Sequence, residues 1–377
     1  MNTCSILAVL SLAALAPVAS AQPSTSSPTA VAPATAVTAA LPDAKVAAPS
    51  PMTPAPPGPS GYHLLKAITL GGEGGWDYLA VDAVNRRVYV SHSTRVEVLD
   101  ADRLEKTGEI TDLSGVHGIA IANELGRGFI SNGKTSTITI FDLKTLKKLD
   151  EVKSTGEGPD AILFDPFSKR VFAFNGHTGN ATAIDAATGK VVGSIELGGK
   201  PEFATSDLKG SVFVNIEDKS EIVTFDPKTL KVKSRHPLKP CEEPSGMAID
   251  RASHRVLIGC SNQLAAVVDT DTGKLVETVA IGDGVDANAY DPSTKLGFSA
   301  NGDGTLTVIH ETAGGHYGVL ETVATRRGAR TMTLDETTHH LFLTTAQFGP
   351  PPAPTEDHPH PRPSILPDSF VVLVFGK

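Results

Sequence analysis

The sequence has 377 residues, of which 40% are hydrophobic and 20% are charged, the composition of an ordinary globular protein. It contains 33 Lys and Arg against 42 Asp and Glu, which gives a formal net charge of −9. Such a negative surface repels phosphate backbones and disfavours a general role in nucleic-acid binding. The length allows one large all-β domain or two smaller domains.

The first 21 residues have the features of an export signal. An apolar run from Ile6 to Val18 precedes the small-residue sequence ASA and then Gln22, the pattern of a secretory signal peptide and its cleavage site. The run is too short to span a bilayer as a permanent helix. We therefore predict a signal peptide at residues 1–21 and a periplasmic or secreted protein.

Residues 22–60 are rich in Pro, Ala, Ser and Thr and show no apolar periodicity. Such a segment cannot bury enough apolar surface to offset the entropy lost on ordering it. It predicts a disordered, partly polyproline-like tether. We expect no transmembrane segment in the mature chain.

The rest of the chain repeats one pattern seven times: a Gly/Pro loop, a short apolar run, a turn and a second strand, as in WDYLAVD followed by RVYVSH. The second residue of each run is a register marker, and successive markers are 40–44 residues apart. Six of the seven markers have Asp five residues later. The markers are Asp77, His117, Asp160, Glu202, Ser245, Asp286 and Arg330.

Most repeats continue with a third strand closing on Asp, such as ITIFD or AAVVD, and then a fourth strand. Four short strands in about 42 residues are typical of a β-propeller blade. The inner runs are nearly all apolar, as expected when both faces of each sheet are buried. We predict an all-β, seven-bladed propeller of four-stranded antiparallel blades at residues 61–377, with blades starting near residues 75, 115, 158, 200, 243, 284 and 328.

The seventh repeat supplies only three strands. The segment YHLLKAITL, which starts at Tyr62 before the first repeat, has the character of a fourth strand. Placing this N-terminal strand on the last blade closes the ring and removes an exposed sheet edge.

The last blade also carries a proline-rich insertion at residues 349–367, between its second and third strands. Its His358 and His360 lie near Glu356 and Asp357, a set that offers weak metal ligands. The proline content favours an extended, solvated loop, with metal binding and partner contact as the alternatives.

Removal of the signal peptide would leave two cysteines, Cys241 and Cys260. The repeat places both at the same end of blade 5. An oxidising compartment permits a disulfide between them, which would stabilise the fold by roughly 3 kcal/mol. The alternative is two buried free thiols.

Several stretches resemble a known family. They are RRVYVSH at Arg86, GEGPDAILFDP at Gly156, GGKPEFA at Gly198, NIEDKSEIV at Asn215, CEEPSGMAID at Cys241 and SANGDGTLTV at Ser299. Through them, residues 62–377 resemble the YncE-like, YVTN-repeat β-propellers, which are exported bacterial proteins. The motif that names the family is present in altered form, as VYVSH, VFVN and GFISN. The resemblance implies a propeller whose relatives have suggested roles in surface attachment, DNA binding and periplasmic scaffolding, and fold alone does not choose among them.

The seven markers precede the innermost strands, so we expect them to ring one mouth of the central channel. Four of them are carboxylates, which repel one another and resist full ionisation. A bound cation would relieve this repulsion, either a hard divalent metal such as Ca²⁺ or an ammonium or guanidinium group, and Arg330 would supply part of that relief. The alternative is a polar ring that bonds the Gly/Pro loops and holds channel water.

No G-x-S-x-G, H-E-x-x-H or CxxCH signature is present in the sequence. Their absence does not exclude an enzyme, since a propeller can assemble a site from single residues on several blades. The rigid repeat, the tether and the acidic ring favour a monomeric, non-enzymatic binding protein or scaffold that engages a small ligand, a cation or a cell-envelope protein at the channel mouth or the rim loops. A second hypothesis is a lactonase-like hydrolase or lyase, with a metal on the ring carboxylates and His117 as base. DNA binding, suggested for a relative, lacks a basic patch here.

Overall fold

The computed structural model describes residues 56–353 and 363–377. The predicted signal peptide and the predicted tether up to residue 55 lie outside the described residues, and so do His358 and His360. The described residues form seven four-stranded antiparallel sheets arranged in a ring. This confirms the seven-bladed propeller that the repeats predicted.

Strands are numbered in chain order, and in blades 1 to 6 each blade runs from its innermost to its outermost strand. Blades 1 to 3 are formed by β2 (Trp76–Asp82), β3 (Arg87–His92), β4 (Arg95–Asp100) and β5 (Glu105–Ile110); β6 (Val116–Ala122), β7 (Arg127–Asn132), β8 (Thr137–Asp142) and β9 (Lys148–Lys153); and β10 (Pro159–Asp165), β11 (Arg170–Asn175), β12 (Asn180–Asp185) and β13 (Val191–Glu196). Blades 4 to 6 are formed by β14 (Pro201–Ser206), β15 (Val212–Ile216), β16 (Glu221–Asp226) and β17 (Lys231–Pro237); β18 (Pro244–Asp250), β19 (Arg255–Cys260), β20 (Leu264–Asp269) and β21 (Leu275–Ala280); and β22 (Val285–Asp291), β23 (Leu296–Asn301), β24 (Thr305–Glu311) and β25 (Tyr317–Ala324). Blade 7 consists of β26 (Thr331–Asp335), β27 (His340–Thr345), β28 (Val371–Gly376) and, at its outer edge, β1 (His63–Thr69).

The N-terminal strand closes the ring, as predicted. β1 pairs antiparallel with β28 and places Ala67 opposite Leu373. The innermost strand of blade 7, β26, contacts the innermost strand of blade 1, β2. The first and last parts of the described chain are therefore joined within one sheet, which leaves no free inner strand edge.

Two recurring Asp positions fix turns in most of the blades. The buried carboxylate of Asp82, at the end of an innermost strand, accepts the backbone N–H groups of Val84 and Asn85 at 3.1 and 2.9 Å. At the end of a third strand, Asp142 accepts the backbone N–H of Thr145 at 2.7 Å. These contacts are Asx-type turns, in which a short carboxylate replaces a backbone acceptor. They explain why the spacing from marker to Asp is constant.

The apolar core lies between neighbouring blades. The side chain of Tyr89 in β3 is fully buried, and its ring centroid lies 5.5 Å from that of Phe141 in blade 2. The outermost strands are largely exposed, as β9 is along nearly its whole length. This arrangement explains why the inner strands are apolar on both faces.

Blade 5 contains a disulfide between Cys241 and Cys260, whose Cα atoms are 5.6 Å apart. It ties the loop before β18 to the end of β19. The other regular elements of the described chain are two short 3-10 helices, Asn123–Leu125 and Glu217–Lys219. No helix in this part of the chain is long and apolar enough to cross a membrane.

Candidate ligand site at the channel mouth

Six markers occupy the second position of their innermost strand, and the strand register shifts at each of them. Such a β-bulge frees a residue from strand pairing and re-aims its side chain. In blade 7 the pairing of β26 with β27 has no shift, and β26 begins at Thr331. Arg330 therefore belongs to the loop before the strand. Its side chain is 46% exposed, against 13–22% for the four marker carboxylates.

Three markers from consecutive blades meet at one imidazole. Nδ1 of His117 lies 2.6 Å from Oδ2 of Asp77 and 3.4 Å from Oδ1 of Asp160. Candidate ligand atoms of the three residues all lie within 4.8 Å of one another. A Cβ at Gly133 would come within 2.6 Å of Nε2 of His117, so Gly133 leaves room for the ring to turn Nδ1 toward both carboxylates.

Burial makes the ionised form of Asp160 costly. Its Oδ1 atom is shielded from solvent and has no hydrogen bond of good geometry to any described residue. Desolvation, with the nearby charge of Asp77, raises the pKa of Asp160 to about 7. A carboxylate in this state gains from a cation that replaces the lost hydration.

His117 is held in its protonated form. Burial alone would lower the pKa of the imidazole, but the hydrogen bond to Asp77 and the negative charge of Asp160 raise it to about 9. The site therefore keeps a proton on His117 at neutral pH.

A second group of charges lies in blade 4. Nζ of Lys200 is 3.1 Å from Oε2 of Glu202, and it also forms an ion pair with Glu217. Burial and the charge of Asp160 raise the pKa of Glu202 and Lys200 opposes them, and the net pKa is about 8.

Neither Lys200 nor Glu217 is among the site residues that the sequence predicts. A signal for Lys200 was present, because five of the seven repeats have Gly two residues before the marker and the fourth repeat has Lys there. Glu217 follows β15 in a short 3-10 helix. No repeated sequence position marks Glu217, so its ion pair with Lys200 could not be predicted from the repeats.

The last two charged markers form a pair of their own. Nε of Arg330 lies 3.1 Å from Oδ2 of Asp286. Burial raises the pKa of Asp286, Arg330 opposes this rise and the charge of Asp77 adds to it, so that the net pKa is about 6. Because Asp286 responds to Asp77 from blade 1, the carboxylates share one electrostatic environment across the mouth.

Ser245 has a different contact. Its Oγ donates a hydrogen bond to the backbone carbonyl of Val285 at 2.9 Å. The serine thus joins blade 5 to blade 6, and its hydroxyl proton is not directed at the carboxylates. This one marker matches the alternative interpretation, in which ring residues bond the loops of neighbouring blades.

Aromatic rings line the channel beside the carboxylates. Oη of Tyr78 in blade 1 lies 3.5 Å from the backbone oxygen of Glu202 in blade 4, and the ring centroids of Tyr78 and Phe203 are 5.2 Å apart. Tyr78 is buried, and its pKa is raised by desolvation and then by the surrounding carboxylates. These rings exclude water next to the charges, which accounts for the desolvation of Asp160 and Glu202.

No protein-family model matches the chain, and no protein of curated function matches it. Function is therefore inferred from the geometry and charge of the site.

Proposed function

We propose that the protein is a non-enzymatic binding protein that holds a cation at the channel mouth. The observation that carries this proposal is the meeting of Asp77, His117 and Asp160, whose candidate ligand atoms lie within 4.8 Å of one another, with Oδ1 of Asp160 buried and without a well-formed hydrogen bond to any described residue. Five carboxyl groups, those of Asp77, Asp160, Glu202, Glu217 and Asp286, are gathered at this mouth with the cationic side chains of Lys200, Arg330 and protonated His117. Stability alone would favour neutral side chains here, because desolvated carboxylates weaken the fold.

The donor set narrows the class of cation. Asp77, His117 and Asp160 offer two carboxylates and one imidazole nitrogen within a small sphere. Imidazole suits transition metals such as Zn²⁺, whereas Ca²⁺ prefers sites built from oxygen ligands. We therefore propose a divalent transition metal such as Zn²⁺ or Mn²⁺ in preference to Ca²⁺. The metal would displace the Nδ1 proton of His117, so its affinity should rise with pH.

Calorimetric titration of metal-stripped protein with Zn²⁺, Mn²⁺ and Ca²⁺ tests the proposal. We expect one transition-metal ion per chain, and at least tenfold weaker binding after Asp160→Asn. The chain offers a matched control in the exposed pair of His254 and Asp271, whose Nδ1 and Oδ2 atoms are 2.8 Å apart. Asp271→Asn should leave metal binding unchanged. Absence of binding by the parent protein, or equal losses in the two variants, would contradict the proposal.

The alternative of metal-assisted hydrolysis requires His117 as a general base. The raised pKa of His117 keeps the imidazole protonated at neutral pH when no metal is bound, and a metal at Nδ1 would leave the ring proton on Nε2, so that neither nitrogen has a free lone pair for a base. Both the metal-free and the metal-bound state of His117 therefore favour a binding role over hydrolysis. A purified metal-loaded protein that hydrolyses simple lactones, and loses this activity after His117→Gln, would reverse the choice.

We also propose that the chain is an exported member of the YncE-like propellers. The resemblance of its strand motifs, the seven-bladed ring and the disulfide of Cys241 and Cys260 support this proposal, since disulfides persist in oxidising compartments. Mass spectrometry of the protein from a fractionated bacterial host should find a mature N-terminus at Gln22 in the exported fraction. A full-length protein confined to the cytoplasm would contradict export.

A further inference from the structure

A second cavity opens beside the channel mouth, between the loops of blades 6, 7 and 1. We call it the rim pocket. Its volume is about 390 Å³, within the range of pockets that hold small organic ligands. The side chains that define it are Trp76, Arg327, Arg330, Phe348 and Ile365. Apart from Arg330, none of these residues belongs to the cation site.

Phe348, just before the insertion of blade 7, and Pro363 and Ile365, in the described part of the insertion, form one wall of the rim pocket. Phe348 and Ile365 pair in an antiparallel bridge at its base. The backbone N–H of Gly349 donates to the carbonyl of Ser364 at 2.8 Å, which holds the two ends side by side. No other repeat carries an insertion at this position, so blades 1 to 6 have no wall of this kind.

A glycine lets this wall approach the opposite loop. Gly328 has a φ of +80°, and a Cβ at this position would lie 2.7 Å from the ring of Phe348. Any larger residue would be strained and would push the aromatic ring away. The loop and the insertion are therefore shaped to fit each other.

Aromatic packing fixes a second wall. The ring of Trp76 stacks on the buried ring of Phe370 with centroids 5.3 Å apart, and it lies 6.1 Å from the ring of Phe348. Trp76 is only partly buried. Because one side of the indole rests on a core residue, the partly exposed remainder offers a rigid apolar surface to a ligand.

The charged side chains that line the rim pocket are both arginines. Arg327 is exposed and forms no ion pair with any residue at 56–353 or 363–377, and the terminal nitrogens of Arg330 make no hydrogen bond there. Asp303, on an adjoining loop, already accepts the backbone N–H of Asp283 and the hydroxyl of Thr305. Among the described residues, the guanidinium of Arg327 and the terminal nitrogens of Arg330 are thus available to an anion, and guanidinium matches a carboxylate in geometry.

We propose that the rim pocket binds an organic anion in which a carboxylate is attached to an aromatic or other planar apolar group. The carboxylate bonds Arg327 and Arg330, and the apolar group packs against Trp76 and Phe348. This ligand class differs in charge from the cation of the channel mouth, so each site can be tested without the other.

Trp76 is the only tryptophan of the sequence, so tryptophan fluorescence reports directly on the rim pocket. We would titrate the whole protein with three compounds that share a phenyl ring: phenylacetate, 2-phenylethanol and 2-phenylethylamine. Phenylacetate should shift the emission and bind about tenfold or more tightly than the alcohol, and the amine should bind most weakly. Calorimetry would confirm each affinity independently.

Two variants test whether phenylacetate binds in the rim pocket. Arg327→Gln should weaken phenylacetate binding by about tenfold with no change in affinity for Zn²⁺ or Mn²⁺. Arg235→Gln, which removes an exposed arginine from an outer strand, is the matched control and should have no effect. The melting temperature of each variant shows whether it is folded. Equal affinities for the acid and the alcohol, no binding of phenylacetate by either method, or an equal loss in the control would overturn the proposal.

Discussion

Nε of Arg330 lies 3.1 Å from Oδ2 of Asp286, so one guanidinium belongs both to the acidic channel mouth and to the wall of the rim pocket. In the mouth it acts as a fixed cation that partly neutralises Asp286. In the rim pocket its remaining nitrogens are those that the proposed organic anion would bond. The two proposed sites are therefore linked through a single side chain.

Arg330→Gln should change the two binding reactions in opposite directions. Removal of the guanidinium takes away a cation that competes with the metal, so the affinity for Zn²⁺ or Mn²⁺ should rise several-fold. The affinity for phenylacetate should fall about tenfold, because one of two anion-binding groups is lost. Calorimetry and Trp76 fluorescence measure the two affinities. A metal affinity that does not rise, or a phenylacetate affinity that does not fall, would contradict the prediction.

Glu202→Gln should stabilise the protein at high pH. The pKa of Glu202 in the folded protein is about 8, above its usual value, so the folded state binds this proton more tightly than the unfolded state. Stability from this group is complete below about pH 4 and is lost as the pH rises through about 8. The variant should therefore gain about 2 kcal/mol relative to the parent at about pH 9, and little at about pH 4.

Urea unfolding of parent and variant at the two pH values measures this difference. Glu196→Gln, at an exposed position at the end of β13, is the control and should show no pH-dependent gain. Destabilisation by Glu202→Gln at high pH would mean that the ion pair with Lys200 outweighs the burial of the carboxylate.

Arg86→Gln should weaken the contact between the first and last blades. Nη2 of Arg86 lies 2.7 Å from Oδ2 of Asp335, whose side chain is 0% exposed. Burial would raise the pKa of Asp335, but the hydrogen bonds from Arg86 lower it to about 2. Removing the guanidinium leaves a buried carboxylate without its cation, which costs about 3 kcal/mol at neutral pH.

The pH dependence of this effect provides a second check. Because the pKa of Asp335 is lowered, its contribution to stability is present above about pH 4 and is lost as the pH falls through about 2. The difference between parent and variant should therefore shrink in acid. Arg103→Gln removes an exposed arginine that pairs with Asp100, and it should cost less than about 1 kcal/mol at any pH.

The sequence alone determined the architecture. Constant offsets such as Asp77 to Asp82 predicted the blades, because each offset reflects a turn that a nearby carboxylate closes within a few residues. The missing fourth strand of the last repeat predicted the pairing of β1 with β28, since an uncovered sheet edge is unfavourable. The repeat spacing also predicted a ring of marker residues, because equivalent positions of a repeat lie around the axis of a closed ring.

Only the tertiary structure decided which side chains meet. Tyr78 reaches the backbone of Glu202, 124 residues away, and Trp76 packs on Phe370 at the other end of the described chain. These contacts depend on how blades of different sequence face one another across the channel or the closing seam. No local periodicity encodes them, because burial and charge at such a contact are set by both partners and not by either segment alone.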